Sequence, residues 1–499
     1  MMISPDRPRP AMGRLHTPLR ITAIAAMLLA VAACANMAGI EPTAQLRDAT
    51  SFDLPTTASA TDTTIAPEWW RAFGDEQLNS LIAQATANNP SLKLVRSRLT
   101  RARAVTEVAD AALLPQVNGG LDLMRQLYTR NGAVPAPLGG SERDTGTLQL
   151  SASWEFDFFG KNRAALDAAV GTVRAAEADA QAARILLATN VARTYFQGLR
   201  LSDQLTVARR TLAQREETLS LVRDRVNAGL DTRLELRQSE GSLPEIRQQI
   251  EALQEQQKLA HNALAALAGE PNRAVAPVEH ALSAIKIVVP VTAMPADLLG
   301  RRADITAARW RVEAARQDVR NAKTQFYPNI NLTAFAGFSS IGLDRLLDSG
   351  SGQWSVGPAL RLPLFEGGRL RANLTGKTAD YDAAVESYNA TVIDAIHDAA
   401  DQLVSVSSVA RQQVQQKAAQ EAAEHAFEIA VQRYKAGLGN YLNVLAAETS
   451  VLNQRRLAVD LAARALDARV GLIRAMGGGY QPDTTATLSA STIQQASKP

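Results

Sequence analysis

Apolar and polar residues alternate along three stretches of the chain and, less clearly, along a fourth. Leu148, Leu150, Ala152, Trp154, Phe156 and Phe158 fall on one face, and Thr147, Gln149, Ser151, Ser153, Glu155 and Asp157 on the other. Trp354, Val356, Leu360, Leu362 and Leu364 oppose Gln353, Ser355 and Arg361, while Ile330, Leu332, Ala334, Ala336 and Phe338 make a third row. Val117, Leu121 and Leu123 form a shorter, weaker fourth. Period two with one polar face predicts half-buried β-strands. Segments of about 10–14 residues also suit strands that cross a membrane. The alternative is an amphipathic hairpin lying on a soluble core.

Elsewhere the pattern is helical. Helices are expected over about 75–112 and 297–325, each ending shortly before a proline, as helices tend to. Two much longer ones are expected over 161–226 and 369–434. Each is free of proline, and at 1.5 Å per residue each is about 100 Å long. An Ala-Gly-Leu turn follows each, and a second long helix returns; Pro244 is expected to kink the first of these. The apolar residues of the long helices are too widely spread for one seam: Ala164, Ala165, Leu166, Ala168, Ala169, Val170 and Val173 cover much of the circumference. Small residues on two sides let a helix pack against a neighbour on each side, as a stave in a tube of helices must.

The elements occur twice. Arg225-Val-Asn-Ala-Gly229-Leu230-Asp-Thr-Arg-Leu234 matches Arg433-Tyr-Lys-Ala-Gly437-Leu438-Gly-Asn-Tyr-Leu442 at an offset of 208. The same offset pairs Glu240 with Glu448, Ser242 with Ser450 and Arg247 with Arg455. Phe159 and Arg163 match Phe365 and Arg369 at 206, and Leu114-Pro115 matches Tyr327-Pro328 at 213. The first copy therefore holds seven more residues between Pro115 and Phe159, and the Gly/Pro-rich stretch Asn131–Gly140 accounts for them. The halves cover 67–272 and 297–478, joined by a linker over 273–296 and followed by a polar tail over 479–499.

Four strands cannot close a membrane barrel, because the smallest use eight. An open sheet edge is not tolerated in lipid. Strands that span must therefore be pooled from several chains.

Composition sharpens this picture. The 499 residues carry 53 Lys+Arg against 50 Asp+Glu, with a pI near 9.0. Removing residues 1–33, with Arg7, Arg9, Arg14, Arg20 and Asp6, leaves 49 of each sign. The basic pI is a leader effect and indicates no nucleic-acid partner. Residues 21–33 form an apolar run too short to span a bilayer but suited to a secretory signal peptide over 1–33. Its long basic stretch would also allow translation to begin at Met12. Val31-Ala-Ala-Cys34 resembles the lipobox of bacterial lipoproteins, in which the cysteine is acylated and becomes residue one. The other reading is an ordinary signal peptide with an incidental cysteine. Ala35 after the cysteine implies, within that resemblance, sorting to the outer membrane. Residues 34–66, rich in Thr, Ala, Asp and Pro, read as an extended tether.

No catalytic constellation is present in the sequence. One cysteine excludes a disulfide framework or a Cys-ligated metal within one chain. His16, His261, His280, His397 and His425 form no pair at metal spacing. Gly376-Lys377-Thr378 lacks the earlier glycine of a phosphate loop, where Arg371 stands. Gly350-Ser351-Gly352 lacks the setting of a nucleophile elbow, and Gly477-Gly478-Gly479 reads as a helix stop. No enzyme, cofactor or metal site is expected.

Together these residues resemble the TolC-type outer-membrane factor family, in its lipoprotein, NodT-like efflux branch. The resemblance rests on Val31–Cys34, Trp69-Trp70-Arg-Ala-Phe73-Gly-Asp75, Asn89-Pro90-Ser-Leu, Trp154-Glu-Phe-Asp-Phe-Phe-Gly160 and Pro363-Leu-Phe365-Glu-Gly-Gly-Arg369. It also rests on Arg433-Tyr434 with its turn, Tyr441-Leu442-Asn-Val-Leu445, and the repeat. It implies a mainly α fold with a transmembrane β part. Four strands and long antiparallel coiled-coil helices per chain would form a homotrimer, with a twelve-stranded barrel continued by a periplasmic helical barrel. It further implies a passive duct for small molecules in the outer-membrane lipid, served by a periplasmic adaptor and an inner-membrane pump, RND-type first. The family's adaptor-docking tips correspond here to Arg225, Gly229, Leu230, Arg433, Gly437 and Leu438. Glycine at an inter-helix turn is equally explained by backbone geometry alone. Carboxylates that narrow the tunnel end in some members fall at Asn443 and Ala446, neither acidic; Glu235 and Gln238 are the first-half counterparts, and Glu235 would supply an acidic ring. A lipid-anchored periplasmic scaffold or adaptor, and the outer-membrane factor of a type I protein secretion system, are the competing readings.

Overall fold

The computed structural model describes residues 37–47, 65–270, 281–286 and 298–481. The leader, Cys34 and most of the inter-repeat linker lie outside the described residues. Two compact units are present: one of residues up to Gln45, Ala102–Val173 and Arg311–Glu386, the other of Leu46–Arg101, Arg174–Trp310 and Ser387 onward.

The elements are α1 (Glu76–Asn88), α2 (Pro90–Ala111), β1 (Gln116–Leu127), β2 (Glu142–Phe156), α3 (Lys161–Asn227), α4 (Arg233–Leu267), α5 (Leu298–Arg301), α6 (Ala303–Thr324), β3 (Asn329–Ile341), β4 (Gly352–Arg361), α7 (Arg369–Lys435) and α8 (Tyr441–Ala475). Among the described residues no helix is long and apolar enough to cross a membrane.

The first unit holds one antiparallel sheet in the order β1-β2-β3-β4. Both hairpin connections, 128–141 and 342–351, leave the same end of the sheet. At the other end the strands join α2, α3, α6 and α7. Strand β1 pairs with β2 from Glu142 to Ser153, longer than its pattern predicts, because Gly119 and Gly120 erase the alternation in its middle. The apolar rows stop earlier than expected at the helix end: Phe158 lies past β2, and Leu362 and Leu364 lie past β4, where Pro363 cannot continue the ladder. The Asp157 carboxylate accepts the N–H of Asn162 (3.1 Å) and of Arg163 (2.8 Å), satisfying free donors at the start of α3. Phe326, Val319, Ala322, Leu370 and Leu374 make a small core that also receives Ile40.

In the second unit Trp69, Trp70, Phe73, Leu78 and Ile82 pack on Tyr195, Phe196 and Leu199 of α3 and on Leu466 and Val470 of α8. Asp75 caps α1 through the Leu78 N–H (3.0 Å) and accepts the Tyr195 hydroxyl (2.6 Å). Burial, and then that hydrogen bond, push the Tyr195 hydroxyl far above its usual range.

Two helix expectations are corrected. The helix over 75–112 is two helices. Asn89 before Pro90 is held extended (φ −59°, ψ 124°), as the residue before proline prefers. Its side chain accepts the Ser91 N–H (2.9 Å) and donates to the Leu267 carbonyl (2.9 Å). The helix over 297–325 is interrupted at Arg302, whose guanidinium pairs with Asp304 (2.6 Å) and donates to the Ala475 carbonyl at the end of α8 (3.1 Å). Helix α4 is a single element through Pro244.

Near Pro244 lies a buried ion pair. Arg215 Nε donates to Glu448 Oε2 (3.2 Å), and Arg215 Nη1 donates to the Ser242 carbonyl (2.7 Å), so one guanidinium joins α3, α4 and α8. Both side chains are less than a tenth exposed. Removing one partner of such a pair strands the other charge. Glu448→Ala is therefore expected to destabilise the protein by about 3 kcal/mol or more, and Arg215→Met with Glu448→Leu to cost far less. Thermal unfolding of the detergent-solubilised protein checks the order.

Candidate functional site: the hairpin tips and the amphipathic sheet

Each long helical hairpin turns through the same backbone motif. At the first tip the Gly229 N–H donates to the Val226 carbonyl (3.0 Å) and the Leu230 N–H to Arg225 (2.8 Å). At the second, Gly437 donates to Tyr434 (3.0 Å) and Leu438 to Arg433 (2.8 Å). This is the Schellman closure, with glycine in the left-handed region at φ 73° and 75°. Nothing stands within 4 Å of a Cβ built on either glycine, so conformation alone selects glycine there. Leu230 and Leu438 are 65% and 70% exposed, side chains presented rather than packed.

The tips share a turn but not its chemistry. Arg225 pairs with Asp231 (2.9 Å), donates to the Tyr434 carbonyl (3.1 Å), and lies over the Tyr434 ring at 4.6 Å from its centroid. The Tyr434 hydroxyl donates in a short bond to Asp231. Three side chains thus tie the first hairpin to the second, beside Val222, Tyr441 and Val444. Burial alone would raise the Asp231 carboxyl, but the bonds from Arg225 and Tyr434 outweigh it and hold the group below its usual range. Arg433 donates to the Leu438 carbonyl (3.3 Å), and Gly439 stands where the first copy has Asp231. Asp231 and Tyr434 were missed as site residues by sequence reasoning. The signal available was the departure from the repeat at position 231, two residues after a matching glycine.

The four aperture candidates are placed as two pairs. Glu235 completes a capping box: its carboxylate accepts the Thr232 N–H (2.9 Å) and makes a short bond with the Thr232 hydroxyl. It therefore has a local partner at the start of α4, with Gln238 one turn on. Asn443 and Ala446 are both exposed, one turn apart on α8, and the Asn443 N–H is taken by the side chain of Asn440 (3.1 Å). Cys34 lies outside the described residues.

In the sheet, strand register gathers the alternating rows into two continuous faces. One face reads across the strands as Leu121–Leu148–Phe338, Leu150–Ala336–Trp354, Val117–Ala152–Ala334–Val356 and Phe156–Ile330–Leu360. These residues are largely uncovered in the single chain; Trp354 is 77% and Leu150 61% exposed. The other face carries Asn118, Gln149, Ser151, Thr333, Ser355 and Arg361. From Gly146 to Phe156 the apolar face of β2 extends ten residue steps. That is about 33 Å of strand, or about 25 Å of height at a tilt of about 40°, the thickness of the apolar band on outer-membrane barrels. At the loop end Arg125 and Glu142 close the band with an ion pair (3.1 Å). At the helix end Trp154, Phe156, Phe158, Phe159 and Tyr327 make the aromatic fringe that such barrels carry at the interface.

The model of one family, outer membrane efflux protein, matches the chain over residues 81–270 and again over 294–478. The chain belongs to the outer membrane efflux protein family. Its relatives include the fusaric acid resistance protein FusA of Burkholderia cepacia, 39% identical over 72% of this chain and 69% of that one. The pyoverdine export outer membrane protein OpmQ of Pseudomonas aeruginosa is 33% identical over 85% of this chain and 90% of its own. The crystal structure of the outer membrane protein VceC of Vibrio cholerae, 38% identical, superposes with a TM-score of 0.79 over 83% of this chain and the whole of that one.

As a member of this efflux family the chain is an outer-membrane channel of a tripartite efflux system, not an enzyme. The fold is the one the sequence implies: four strands per chain toward a trimeric twelve-stranded barrel, continued by long antiparallel helices in two homologous halves.

A group whose folded pKa is lowered contributes stability above its unfolded value, and that contribution is lost as pH falls through the folded one. The tie between the tips is therefore expected to hold at neutral pH and to fail below the ordinary carboxylate range. Asp231→Asn should loosen it at neutral pH. Hydrogen exchange over 228–232 and 434–440 should rise severalfold in that variant, and unchanged protection would remove Asp231 from the tie.

Proposed function

We propose that the chain is the lipid-anchored outer-membrane duct of a small-molecule efflux assembly. In this reading three copies pool their sheets into one barrel, and the hairpin tips receive a periplasmic adaptor joined to an RND-type inner-membrane pump. The observation that carries this is the sheet itself: a continuous apolar face with the outer edges of β1 and β4 unpaired among the described residues. A sheet with that face in lipid needs partners at both edges. The duct does no work on its cargo; the pump supplies energy. The names of FusA and OpmQ refer to resistance and to export of small molecules, which favours such cargo here.

The tip residues Arg225, Gly229, Leu230, Arg433, Gly437 and Leu438 are assigned to adaptor docking, because two glycine turns present two exposed leucines in the same geometry. Glu235, Gln238, Asn443 and Ala446, one to two turns from the tips, are assigned to the periplasmic aperture. The loop Asn131–Gly140 joins β1 to β2 at the end of the sheet away from the helices, which supports placing it outside the cell.

Anchoring through Cys34 is supported by the residues that follow it. The Asp382 carboxylate accepts the N–H groups of Thr43 and Ala44 (3.1 Å each) and the Thr43 hydroxyl (2.8 Å). Arg371 donates to the Ala38 carbonyl (3.2 Å), and Met37 and Ile40 pack on the core around Phe326 and Leu374. Met37 is three residues from Cys34, at most about 10 Å of chain. The first described residues are thus held on α6 and α7, the helices that adjoin β3 and β4. Several acyl chains anchor stably where one does not.

Two outcomes check the reading. Gly229→Asp or Gly437→Asp costs about 1–2 kcal/mol of left-handed backbone strain and places a charge on the docking face. Each should lower efflux and adaptor co-purification while a heat-modifiable trimer persists. Normal efflux in both variants would remove the tips from docking. Separately, Cys34→Ser should abolish labelling by a fatty-acid analogue. Labelling that survives, or a mature N-terminus elsewhere by mass spectrometry, would refute the anchor.

A further inference from the structure

The polar face of the sheet carries one aromatic residue. Residues that share this face by register are Gln116, Asn118, Gly120 and Asp122 on β1, and Thr147, Gln149, Ser151, Ser153 and Glu155 on β2. On β3 and β4 they are Asn331, Thr333, Phe335, Gly337 and Ser339, then Gln353, Ser355, Gly357 and Ala359. Met124 and Ile341 share the face too, both opposite Thr145 at the loop end; away from that end every residue of it is polar or small except Phe335. Its direct partners are Ser151 on one side and Ser355 on the other, with Asn118 opposite Ser151. Gly337 lies two residues along its own strand and Gly357 on the neighbouring one, so the space around the ring is left open by the sequence. Its chain neighbours Ala334 and Ala336 belong to the apolar face, near the middle of the band.

We propose that Phe335 is a cargo-contact residue in the barrel lumen. Three copies would form an aromatic collar halfway along the membrane-spanning part, taking the aromatic portion of an amphiphilic cargo. This rests on the trimeric barrel, whose apolar face meets lipid and whose polar face lines the lumen. A twelve-stranded barrel with strands about 4.8 Å apart and tilted about 40° has a backbone radius of about 12 Å. Three inward rings at one height narrow it most where glycine and serine leave it widest. A pore lined only by hydroxyls and amides offers an aromatic solute no surface on which to shed water. Single rings with small neighbours offer a weak, exchangeable one, either by edge or face contact or, for a cation, over the ring. Weak contact is what a duct requires, because cargo must leave as readily as it enters.

The test uses the purified full-length trimer in planar bilayers, with tetraphenylphosphonium as the aromatic probe and tetraethylammonium as the small non-aromatic control. Tetraphenylphosphonium should reduce the wild-type single-channel current. Phe335→Ser should need about fivefold more of it for the same reduction, and Phe335→Tyr should restore the wild-type response. Tetraethylammonium should affect all three channels alike. Equal sensitivity of wild type and Phe335→Ser to tetraphenylphosphonium would overturn the collar. A second measurement fixes the face: in a Cys34→Ser background, Phe335→Cys should react with a charged, membrane-impermeant thiol reagent and Ala336→Cys should not. The reverse pattern would put Phe335 in the lipid and overturn the proposal. Absence of any channel in the wild-type protein would instead defeat the barrel reading on which it rests.

Discussion

A β-sheet in lipid cannot leave its edges bare. Backbone N–H and C=O groups without partners cost several kcal/mol each in hydrocarbon, and the described residues supply four strands. Each strand is long enough to cross the apolar band, yet four cannot close on themselves. The protomer is therefore an incomplete object by its hydrogen bonding alone. The face that would be a liability on a soluble protein, with Trp354, Val356 and Leu360 uncovered, is what lipid requires. Association is thus built into the strand count.

The helical part answers to a different constraint. Helices far longer than an ordinary domain must be held by contacts repeated along their length, since no single core reaches both ends. The structure meets this with separate clusters. Trp69, Phe73, Tyr195 and Phe196 form a dense aromatic core on α3 and α8. The Arg215–Glu448 pair holds three helices at another level. Val222, Tyr434 and Tyr441 hold the tips. Small residues set the close approaches: a Cβ on Gly171 would meet that of Ala314 at 3.0 Å.

Duplication copied the backbone more faithfully than the chemistry. Arg247 with Glu216 (3.1 Å) and Arg455 with Glu424 (2.8 Å) are the same ion pair in the two halves, each joining the two arms of its own hairpin. The glycine turns are likewise equivalent. Yet Glu448 is buried against Arg215, while its counterpart Glu240 pairs with the exposed Arg237 (2.9 Å). Asp231 ties the tips together, while Gly439 has no side chain to do so. Contacts within a hairpin are preserved because both partners were copied together. Contacts between hairpins join unlike positions, so the two copies could diverge there.

That distinction marks what the sequence by itself determined. Strand faces, the lengths of α3 and α7, the glycine turns, the repeat and hence the family were legible because each depends on residues near one another in the chain. Periods of two and 3.6, turn chemistry and offsets are local quantities. The break at Asn89 had a local sign, the proline that follows it, while the break at Arg302 had none strong enough to read. The tie of Arg225, Asp231 and Tyr434, the three-helix reach of Arg215, and the isolation of Phe335 among serines and glycines were decided only by the tertiary structure. Each joins residues distant in sequence, and which of them meet depends on strand register and on how two hairpins pack. No periodicity within one element encodes that.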